Sequence, residues 1–185
     1  MNPGAANRPV RLFFALWPDE AVRAALARLA VKCHAGNAGR KMQPRKLHMT
    51  VVFIGNAPQS DLPRIVAAAN TVSMPPLQLR LDRCRYWKRN RIAWAGCEAP
   101  QALLDLSANL RAALDLAGVP FDQQAFVPHV TLLRDARLLD GLPEPASMEP
   151  IDWNVRDFVL VASERDAEGP LYRIVGGPFG HPAGK

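Results

Sequence analysis

The hydrophobic pattern of the chain changes repeatedly between the period of a strand and the period of a helix. Short apolar or alternating runs bounded by turn residues predict strands at residues 10–16, 47–54, 77–82, 91–96, 126–133, 158–162 and 171–175. Longer stretches with apolar residues three or four positions apart predict helices at 18–36, 60–72 and 101–117. Because the elements follow one another in mixed order, the predicted class is α+β, with mostly antiparallel sheets.

One basic segment lies between the predicted strands at 77–82 and 91–96, which we expect to form a hairpin. Residues 83–91, RCRYWKRNR, place five basic side chains around Tyr86 and Trp87. In one interpretation, these cations and rings contact the phosphates and bases of RNA. In the other, the segment is a solvated hairpin tip whose charges discourage aggregation. The sequence leaves both interpretations open.

Length and composition limit the classes to which the protein can belong. The 185 residues suffice for one domain, and a charged fraction of 22% is ordinary for a globular protein. No apolar run approaches the roughly 20 residues that a membrane-spanning helix needs. The N-terminal region does not have the pattern of a signal peptide, since Arg11 interrupts its apolar stretch. We therefore expect a cytoplasmic protein without a membrane segment.

The cysteines give no indication of a disulfide framework or a metal site. They lie far apart, at positions 33, 84 and 97, and no C-x-x-C spacing occurs. Cys33 and His34 are neighbours in sequence, a spacing that is unfavourable for holding one metal ion together. We expect neither a metal nor another cofactor. The formal net charge of +6 favours anionic partners such as nucleotides and RNA.

Two short motifs are the main indication of chemistry. The pattern H-x-T occurs at residues 48–50 and 129–131, each time inside an apolar, strand-like stretch. Chance placement of four histidines and three threonines in 185 residues gives about 0.06 such pairs. Side chains at i and i+2 of a strand share a face, so each motif predicts a polar pair in a buried setting. Because buried polar groups are costly without partners, the repetition favours a site that both motifs share.

An in-line displacement at phosphorus needs the groups that such a site provides. One group takes a proton from the attacking water, and another, on the opposite side, gives a proton to the departing oxygen. Imidazole, with an ordinary pKa of about 6.5, serves in either role near neutral pH. Threonine hydroxyls can donate hydrogen bonds to phosphate oxygens. The residues therefore predict two catalytic histidines, His48 and His129, and leave open which is the acid and which is the base.

The two motifs, 81 residues apart, resemble those of the 2H phosphoesterases. The resemblance is closest to the bacterial and archaeal RNA 2′,3′-cyclic phosphodiesterases, first named 2′-5′ RNA ligases. It covers about residues 10–178 and includes RLFFALWPDEAVRAAL, LHMTVVFIG, FVPHVTLLR and VLVASERDAEGPLYRIV. It implies one two-lobed domain over residues 1–185, with mostly antiparallel sheets that line a central cleft, helices on the outside and a pseudo-twofold relation between the lobes. We expect residues 1–9 and 179–185 to be flexible tails.

The resemblance also implies an activity and individual roles. The activity is hydrolysis of RNA 2′,3′-cyclic phosphate ends, or of cyclic nucleotides, to 2′-phosphomonoesters without a metal. His48 would protonate the leaving 3′-oxygen and His129 would activate water. Thr50, Thr131 and Arg134 would bind the phosphate. The alternatives are reversible 2′-5′ joining of RNA at the same site and a non-catalytic module that binds RNA or nucleotides. We expect the protein to be a monomer.

Aromatic residues outside the motifs receive weaker predictions. Phe13 and Phe14 are neighbours on one predicted strand, so their side chains face opposite sides. One of them is expected in the core, and the other is a candidate for the wall of the cleft. Trp17, Trp94 and Trp153 are expected to be core residues.

Overall fold

Helices and strands alternate irregularly in the computed structural model, which describes residues 9–138, 141–143, 148–166 and 169–181. The helices are α1 (Glu20–His34), α2 (Leu62–Asn70) and α3 (Gln101–Leu116). The strands are β1 (Pro9–Leu16), β2 (Ala38–Lys41), β3 (Met49–Pro58), β4 (Leu77–Leu81), β5 (Arg83–Trp87), β6 (Ile92–Gly96), β7 (His129–Arg137), β8 (Ile151–Val155), β9 (Phe158–Asp166) and β10 (Gly169–Phe179). None of the described helices is long and apolar enough to cross a membrane. The predicted α+β class is confirmed.

Eight strands form one sheet whose two halves meet at its centre. The strand order is β10-β9-β1-β3-β7-β6-β5, and β2 also pairs with β7. The paired strands of this sheet are antiparallel. The central strands β3 and β7 are paired through Met49 and Val130. The first H-x-T motif therefore belongs to one half of the sheet and the second motif to the other half. Strands β4 and β8 form a separate two-stranded sheet.

The two faces of β1 contact different groups of side chains. Leu12 and Phe14 are fully buried in the main core. This core includes residues of every described helix, among them Leu26, Ile65 and Leu106. Phe13 and Ala15 lie on the other face, where they pack with Val159 and Val161 in a second, smaller cluster. The helices thus stabilise one face of the sheet, and the opposite face is left for a site.

Helix α1 begins at Glu20, two residues after the predicted start at residue 18. The carboxylate of Asp19 accepts a hydrogen bond of 2.9 Å from the backbone N–H of Val22, so it caps the helix. Glu20 adds a negative charge to the first turn, where the helix dipole favours it. The cap fixes the short connection between β1 and α1, which contains Trp17.

The strand β4 has a different partner from the predicted one. It pairs with β8 in the small sheet, whereas β6 pairs with β5, so the expected hairpin between 77–82 and 91–96 is wrong. Strand β5 lies inside the basic segment 83–91, which therefore forms more than a turn. Alternation of apolar residues shows which side chains face the core, but it does not show which strand lies alongside.

The chain is also ordered beyond the predicted end of the last strand. Strand β10 runs to Phe179, which is buried and packs against Phe14 and Phe158. Gly180 forms a β-bridge with Ser73. Residues 179 and 180 are therefore part of the fold. Residues 1–8 and 182–185 of the two predicted tails lie outside the described residues.

Candidate active site

The two H-x-T motifs lie side by side where the halves of the sheet meet. Because Met49 is opposite Val130 in an antiparallel pair, position 48 lies beside position 131, and position 50 lies beside position 129. The side chains of Met49 and Val130 are fully buried in the main core. Alternation along a strand directs the flanking side chains to the opposite face. The residues on this shared face are His48, Thr50, His129 and Thr131.

Both imidazoles are held by the same kind of hydrogen bond. Nδ1 of His48 lies 2.8 Å from the backbone carbonyl oxygen of Lys46, and Nδ1 of His129 lies 2.8 Å from that of Val127. A carbonyl oxygen only accepts hydrogen bonds, so each Nδ1 is the donor. In the neutral ring, Nε2 then carries the lone pair. Each histidine is thus fixed by the carbonyl two residues before it, with Nε2 left for chemistry.

Aromatic rings surround His48. Phe13 stacks on its imidazole at 4.8 Å between ring centroids, and Trp17 stacks on it at 5.5 Å with planes only 6° apart. Tyr172 of β10 presents an edge-on contact at 5.0 Å. These rings remove water from His48 and restrict its orientation, so the imidazole is positioned before any ligand arrives.

His129 has a separate aromatic setting. Trp87 lies edge-on at 4.5 Å, and Trp94 lies edge-on at 6.0 Å. Gly96 is opposite His129 in the β6–β7 ladder. A Cβ atom at this glycine would lie 2.6 Å from the carbonyl oxygen of Pro128, so no larger residue fits without movement. The close approach of β6 to β7 beneath His129 therefore depends on glycine.

The structure revises the predicted roles of the aromatic residues. Phe14 is a core residue and Phe13 contacts His48, as their opposite directions on β1 indicate. Trp153 is buried in the core. Trp94 is buried as expected, and its ring also contacts His129. Trp17 is only partly buried and stacks on His48, so the expectation of a core residue is wrong for Trp17.

Tyr172 and Trp87 contact the site histidines but are not predicted as site residues, because the sequence gives little indication of their positions. Tyr172 contacts His48 from a strand more than a hundred residues away in the chain. Its only sequence indication is its place in the closing segment of the family resemblance. Trp87 contacts His129 from the basic segment 83–91, where a stacking role toward RNA is one of the two open interpretations.

A β-bulge follows each threonine and redirects the side chain three positions later. In β3, Ala15 is opposite Thr50 but Phe14 is opposite Val52, so Val51 is the extra residue. In β7, Thr131 is opposite Trp94 but Leu133 is opposite the adjacent residue of β6, Ala93. Leu132 is therefore the extra residue of the second bulge. A bulge changes the face to which the following residues point. It thereby places Phe53 and Arg134 on the side of the two threonines.

Arg134 brings positive charge to the site. Its charge contributes to lowering the pKa of both His48 and His129. Its Nε–H is buried and has no hydrogen-bond partner within the described ranges. A buried donor without a partner costs stability unless another group accepts its hydrogen bond, and a phosphate oxygen is a suitable acceptor. Arg134 thus fits the predicted anion-binding position.

Burial lowers the proton affinity of both histidines. It lowers the pKa of His48 to about 4, and the positive charges of His129 and Arg134 act in the same direction. Burial and Arg134 also lower the pKa of His129. The hydrogen bonds to the carbonyls of Lys46 and Val127 oppose these shifts without reversing them. Both rings are therefore neutral at pH 7 in the ligand-free protein, and a bound anion would favour their protonation.

A cavity of about 820 Å³ adjoins this group of residues. Tyr172, which contacts His48, forms part of its wall, and so does Arg134. The histidines do not line the cavity themselves. The site therefore consists of a histidine–threonine centre and a larger neighbouring space, with Tyr172 and Arg134 shared between them.

Known proteins are similar to this chain in sequence over most of its length. Residues 17–167 match the sequence profile of the 2′-5′ RNA ligase superfamily. The chain is 31% identical over 177 residues to the RNA 2′,3′-cyclic phosphodiesterase of Thermus thermophilus, covering 90% of this chain and 88% of that protein. It is 30% identical over 160 residues to the enzyme of the same name from Escherichia coli, covering 85% and 89%.

Solved structures of bacterial relatives agree with the fold. Escherichia coli LigT in complex with 3′-AMP superposes with a TM-score of 0.81 at 28% identity, covering 90% of this chain and 95% of that one. LigT in complex with NADP+ gives the same TM-score at 26% identity, covering 94% and 99%. These matches confirm the 2H phosphoesterase fold that the family resemblance implies, and the chain belongs to the 2′-5′ RNA ligase superfamily of 2H phosphoesterases.

Proposed function

We propose that this protein hydrolyses 2′,3′-cyclic phosphate ends of RNA to 2′-phosphomonoesters, with His48 and His129 as a metal-independent acid–base pair. The observation that carries the proposal is the antiparallel pairing of Met49 with Val130, which puts both H-x-T pairs on one face of the sheet. The names of the Thermus and Escherichia relatives support this substrate class. The complexes of LigT with 3′-AMP and NADP+ support a site that accepts phosphorylated nucleotides.

In the proposed reaction, water attacks phosphorus from the side opposite the 3′-oxygen. Nε2 of His129 takes a proton from the water while the water oxygen bonds to phosphorus. The bond between phosphorus and the 3′-oxygen breaks, and Nε2 of His48 gives that oxygen a proton. The products are a 2′-phosphomonoester and a free 3′-hydroxyl, and both rings regain their protonation states by exchange with solvent. The assignment of acid and base follows the family resemblance.

Three further side chains would hold the phosphate during this reaction. The hydroxyls of Thr50 and Thr131 would donate to the non-bridging oxygens, where negative charge increases in the transition state. The guanidinium of Arg134 would neutralise part of that charge, and its buried Nε–H would gain an acceptor. The anion would also raise the pKa of His48 from its low value and so favour the protonated acid.

Two other outcomes remain distinct from this proposal. Ligation would use the same steps with the 5′-hydroxyl of a second RNA in place of water, and only its reversal would exchange the histidine roles. Because water is in large excess, hydrolysis is favoured. A non-catalytic RNA-binding module would not require two imidazoles that are each held through Nδ1 with the lone pair on Nε2, as both histidines are. A cytoplasmic location and a monomeric state stay predictions.

The first experiment measures the reaction and its product. The purified protein is treated with EDTA and incubated with an RNA oligomer that ends in a 2′,3′-cyclic phosphate. We expect hydrolysis to a 2′-phosphate, identified by chromatography against both isomers. The variant His181→Gln, at an exposed position after β10, serves as a matched control and should react normally. Loss of activity with EDTA that returns with a divalent cation would contradict the metal-independent mechanism, and a 3′-phosphate would contradict the leaving group.

A second experiment separates the acid from the base. In a cyclic substrate with sulfur in place of the 3′-oxygen, the leaving group departs as a thiolate, since thiols have a pKa near 8.5. It therefore needs no general acid. We expect the sulfur substrate to restore the rate of His48→Ala but not that of His129→Ala. The opposite pattern would exchange the two roles.

A further inference from the structure

The cavity beside the histidines is larger than a cyclic phosphate requires. Its volume of about 820 Å³ falls in the range of roughly 300–1,000 Å³ that small-molecule sites in proteins occupy. A single phosphate would fill only a small part of this space. Because the cavity shares Tyr172 and Arg134 with the site, whatever occupies it would be continuous with a phosphate bound between the histidines.

A row of polar side chains crosses the sheet along one wall of this cavity. Arg11 of β1 is directly opposite Asn56 of β3 on one side and Ser163 of β9 on the other. Ser163 is in turn opposite Tyr172 of β10. Directly opposite residues in a sheet share a face, and all four of these residues line the cavity. Since Tyr172 contacts His48, the polar row lies on the face that carries the histidines.

Arg11 is held above this face without a carboxylate partner. Its guanidinium carbon lies 4.7 Å from the ring centroid of Phe53, which packs in the same small cluster as Phe13. No ion pair to Arg11 occurs among the residues that the structure describes. The ring orients the guanidinium while its hydrogen-bond donors stay available, which is a favourable arrangement for binding an anion.

The other arginines of the cavity differ from Arg11 in their partners. Arg173 donates to Glu164 at 3.0 Å, and Arg40 lies 3.5 Å from Asp135. Arg134, like Arg11, has no such ion pair among the described residues, but it is already placed beside the histidines. Among the arginines of the cavity that the structure describes, Arg11 is therefore the one that remains for a second anion.

The strand register relates the position of Arg11 to the spacing of phosphates along an RNA strand. Thr50 is opposite Ala15, whereas Phe53, under the guanidinium, is opposite Phe13, two residues further along β1. This step is about 7 Å along a strand, the scale on which phosphates follow one another in RNA. A cyclic phosphate occupies the 3′ end of the chain, so every remaining phosphate lies on its 5′ side.

We infer that Arg11, with Asn56 and Ser163 beside it, binds the phosphate on the 5′ side of the terminal nucleotide. The inference rests on the proposed function for the position of the cyclic phosphate. It means that the protein recognises at least two phosphates and prefers RNA ends to isolated nucleoside cyclic phosphates. Arginine is suited to this role, because its planar guanidinium binds phosphate through paired hydrogen bonds.

The test compares adenosine 2′,3′-cyclic phosphate with the same compound carrying a 5′-phosphate. In the wild type at low salt, we expect the 5′-phosphate to raise kcat/KM by roughly tenfold, the size of one charge-assisted hydrogen bond. In Arg11→Gln this ratio should fall toward one. The matched control is Arg173→Gln, which removes the same charge from a residue already paired with Glu164 and should retain the ratio. A dinucleotide that ends in a 2′,3′-cyclic phosphate should respond to Arg11→Gln in the same way as the 5′-phosphorylated substrate.

Two further readouts extend the test, and the first of them does not depend on turnover. Calorimetry compares adenosine 2′,5′-bisphosphate with adenosine 2′-monophosphate, and only the bisphosphate should bind less tightly to Arg11→Gln than to Arg173→Gln. The salt dependence of kcat/KM for the dinucleotide should flatten in Arg11→Gln, by about 0.7 in logarithmic slope for one lost phosphate contact. Equal turnover and affinity with and without the 5′-phosphate would overturn the inference and leave the proposed function intact. Absence of any turnover would instead contradict the proposed function, and the calorimetry would still decide the inference.

Discussion

The two H-x-T regions of the molecule use the same backbone arrangement with different side chains around it. In each region the histidine Nδ1 donates to the carbonyl two residues earlier, and a bulge follows the threonine. Three positions after the threonine, the first region has Phe53 and the second has Arg134. Three aromatic rings contact His48, whereas two tryptophans contact His129.

This difference shows how a repeated scaffold gives two unequal halves of one site. The first region supplies an apolar wall, and Phe53 in that wall also orients Arg11. The second region supplies the arginine whose charge acts on both histidines. A group of low pKa is a strong acid once it is protonated, so the strongly shifted His48 suits proton donation. The symmetry of the backbone provides the two positions, and the unlike neighbours distinguish them.

The largest expected effect is the loss of either histidine. Each proton transfer is typically worth about 10²–10⁴ in rate, so His48→Ala and His129→Ala should each lower kcat by that factor. Binding of a 2′-phosphorylated nucleotide should change much less, because the threonines and Arg134 remain. Single-turnover hydrolysis and calorimetry measure the two quantities. Near-normal turnover in one variant would show that the two regions are not equivalent partners in catalysis.

The next prediction concerns the pH dependence of the free energy of unfolding, which reflects the low pKa of His48 in the first region. The pKa of His48 is about 4 in the folded protein and about 6.5 when unfolded, so protons favour the unfolded state. Its contribution to stability is complete above pH 6.5 and is lost as the pH falls toward 4, by about 3 kcal/mol in total. We therefore expect His48→Gln to lose less stability than the wild type between pH 6.5 and 4.5.

Urea unfolding at several pH values measures this difference. The control is His181→Gln, which changes an exposed histidine outside the site and should follow the wild-type curve. Parallel curves for the wild type and His48→Gln would contradict the low pKa of His48.

Removing the positive charge of Arg134, in the second region, should have a smaller effect on the rate. Arg134→Gln should lower kcat/KM by roughly 10–100-fold, the value of a hydrogen bond to a charged group. Because the arginine also lowers the pKa of both histidines, its loss should move the pH–rate profile to higher pH. The control is Arg137→Gln on the exposed end of the same strand. An unchanged pH–rate profile would show that the charge of Arg134 does not act on the histidines.

Substitution of either threonine should have the smallest effect on kcat/KM, and the two effects should be similar. Thr50→Val and Thr131→Val each remove one neutral hydrogen bond and should lower kcat/KM by about two- to tenfold. Thr71→Val provides a control, because the Thr71 hydroxyl donates to the carbonyl of Ala68 at the end of α2 and lies outside both motifs. A large loss in only one motif would mean that the phosphate contacts one region and not the other.

The sequence is sufficient to predict the α+β class, the three helices and the shared face of the motifs. The H-x-T spacing is informative because side chains two residues apart in a strand lie on the same face, whichever strand pairs with it. The bulges after Thr50 and Thr131 leave little trace in the pattern, since Val51, Val52, Leu132 and Leu133 are all apolar and buried. In regular strands Phe53 and Arg134 would point away from the site, and the hydrophobic pattern does not show the bulges that redirect them. The family resemblance indicates a site position for Arg134 but not for Phe53.

Pairings between distant strands account for what the sequence could not predict. The partner of β4 is β8, which follows seventy residues later, and nothing in the alternation of Leu77, Leu79 and Leu81 indicates it. Tyr172 reaches His48 for the same reason, since β10 is brought near β3 only through β9 and β1. Such contacts depend on tertiary packing rather than on local propensity.

The most direct test of the central claim is a double-mutant cycle on the two histidines. Single-turnover hydrolysis of a cyclic-phosphate RNA is measured for the wild type, His48→Ala, His129→Ala and the double variant. If both rings act on one phosphorus as a unit, the double variant should be hardly slower than the slower single variant. Losses that multiply in the double variant would contradict the account, because they would show two histidines that act independently.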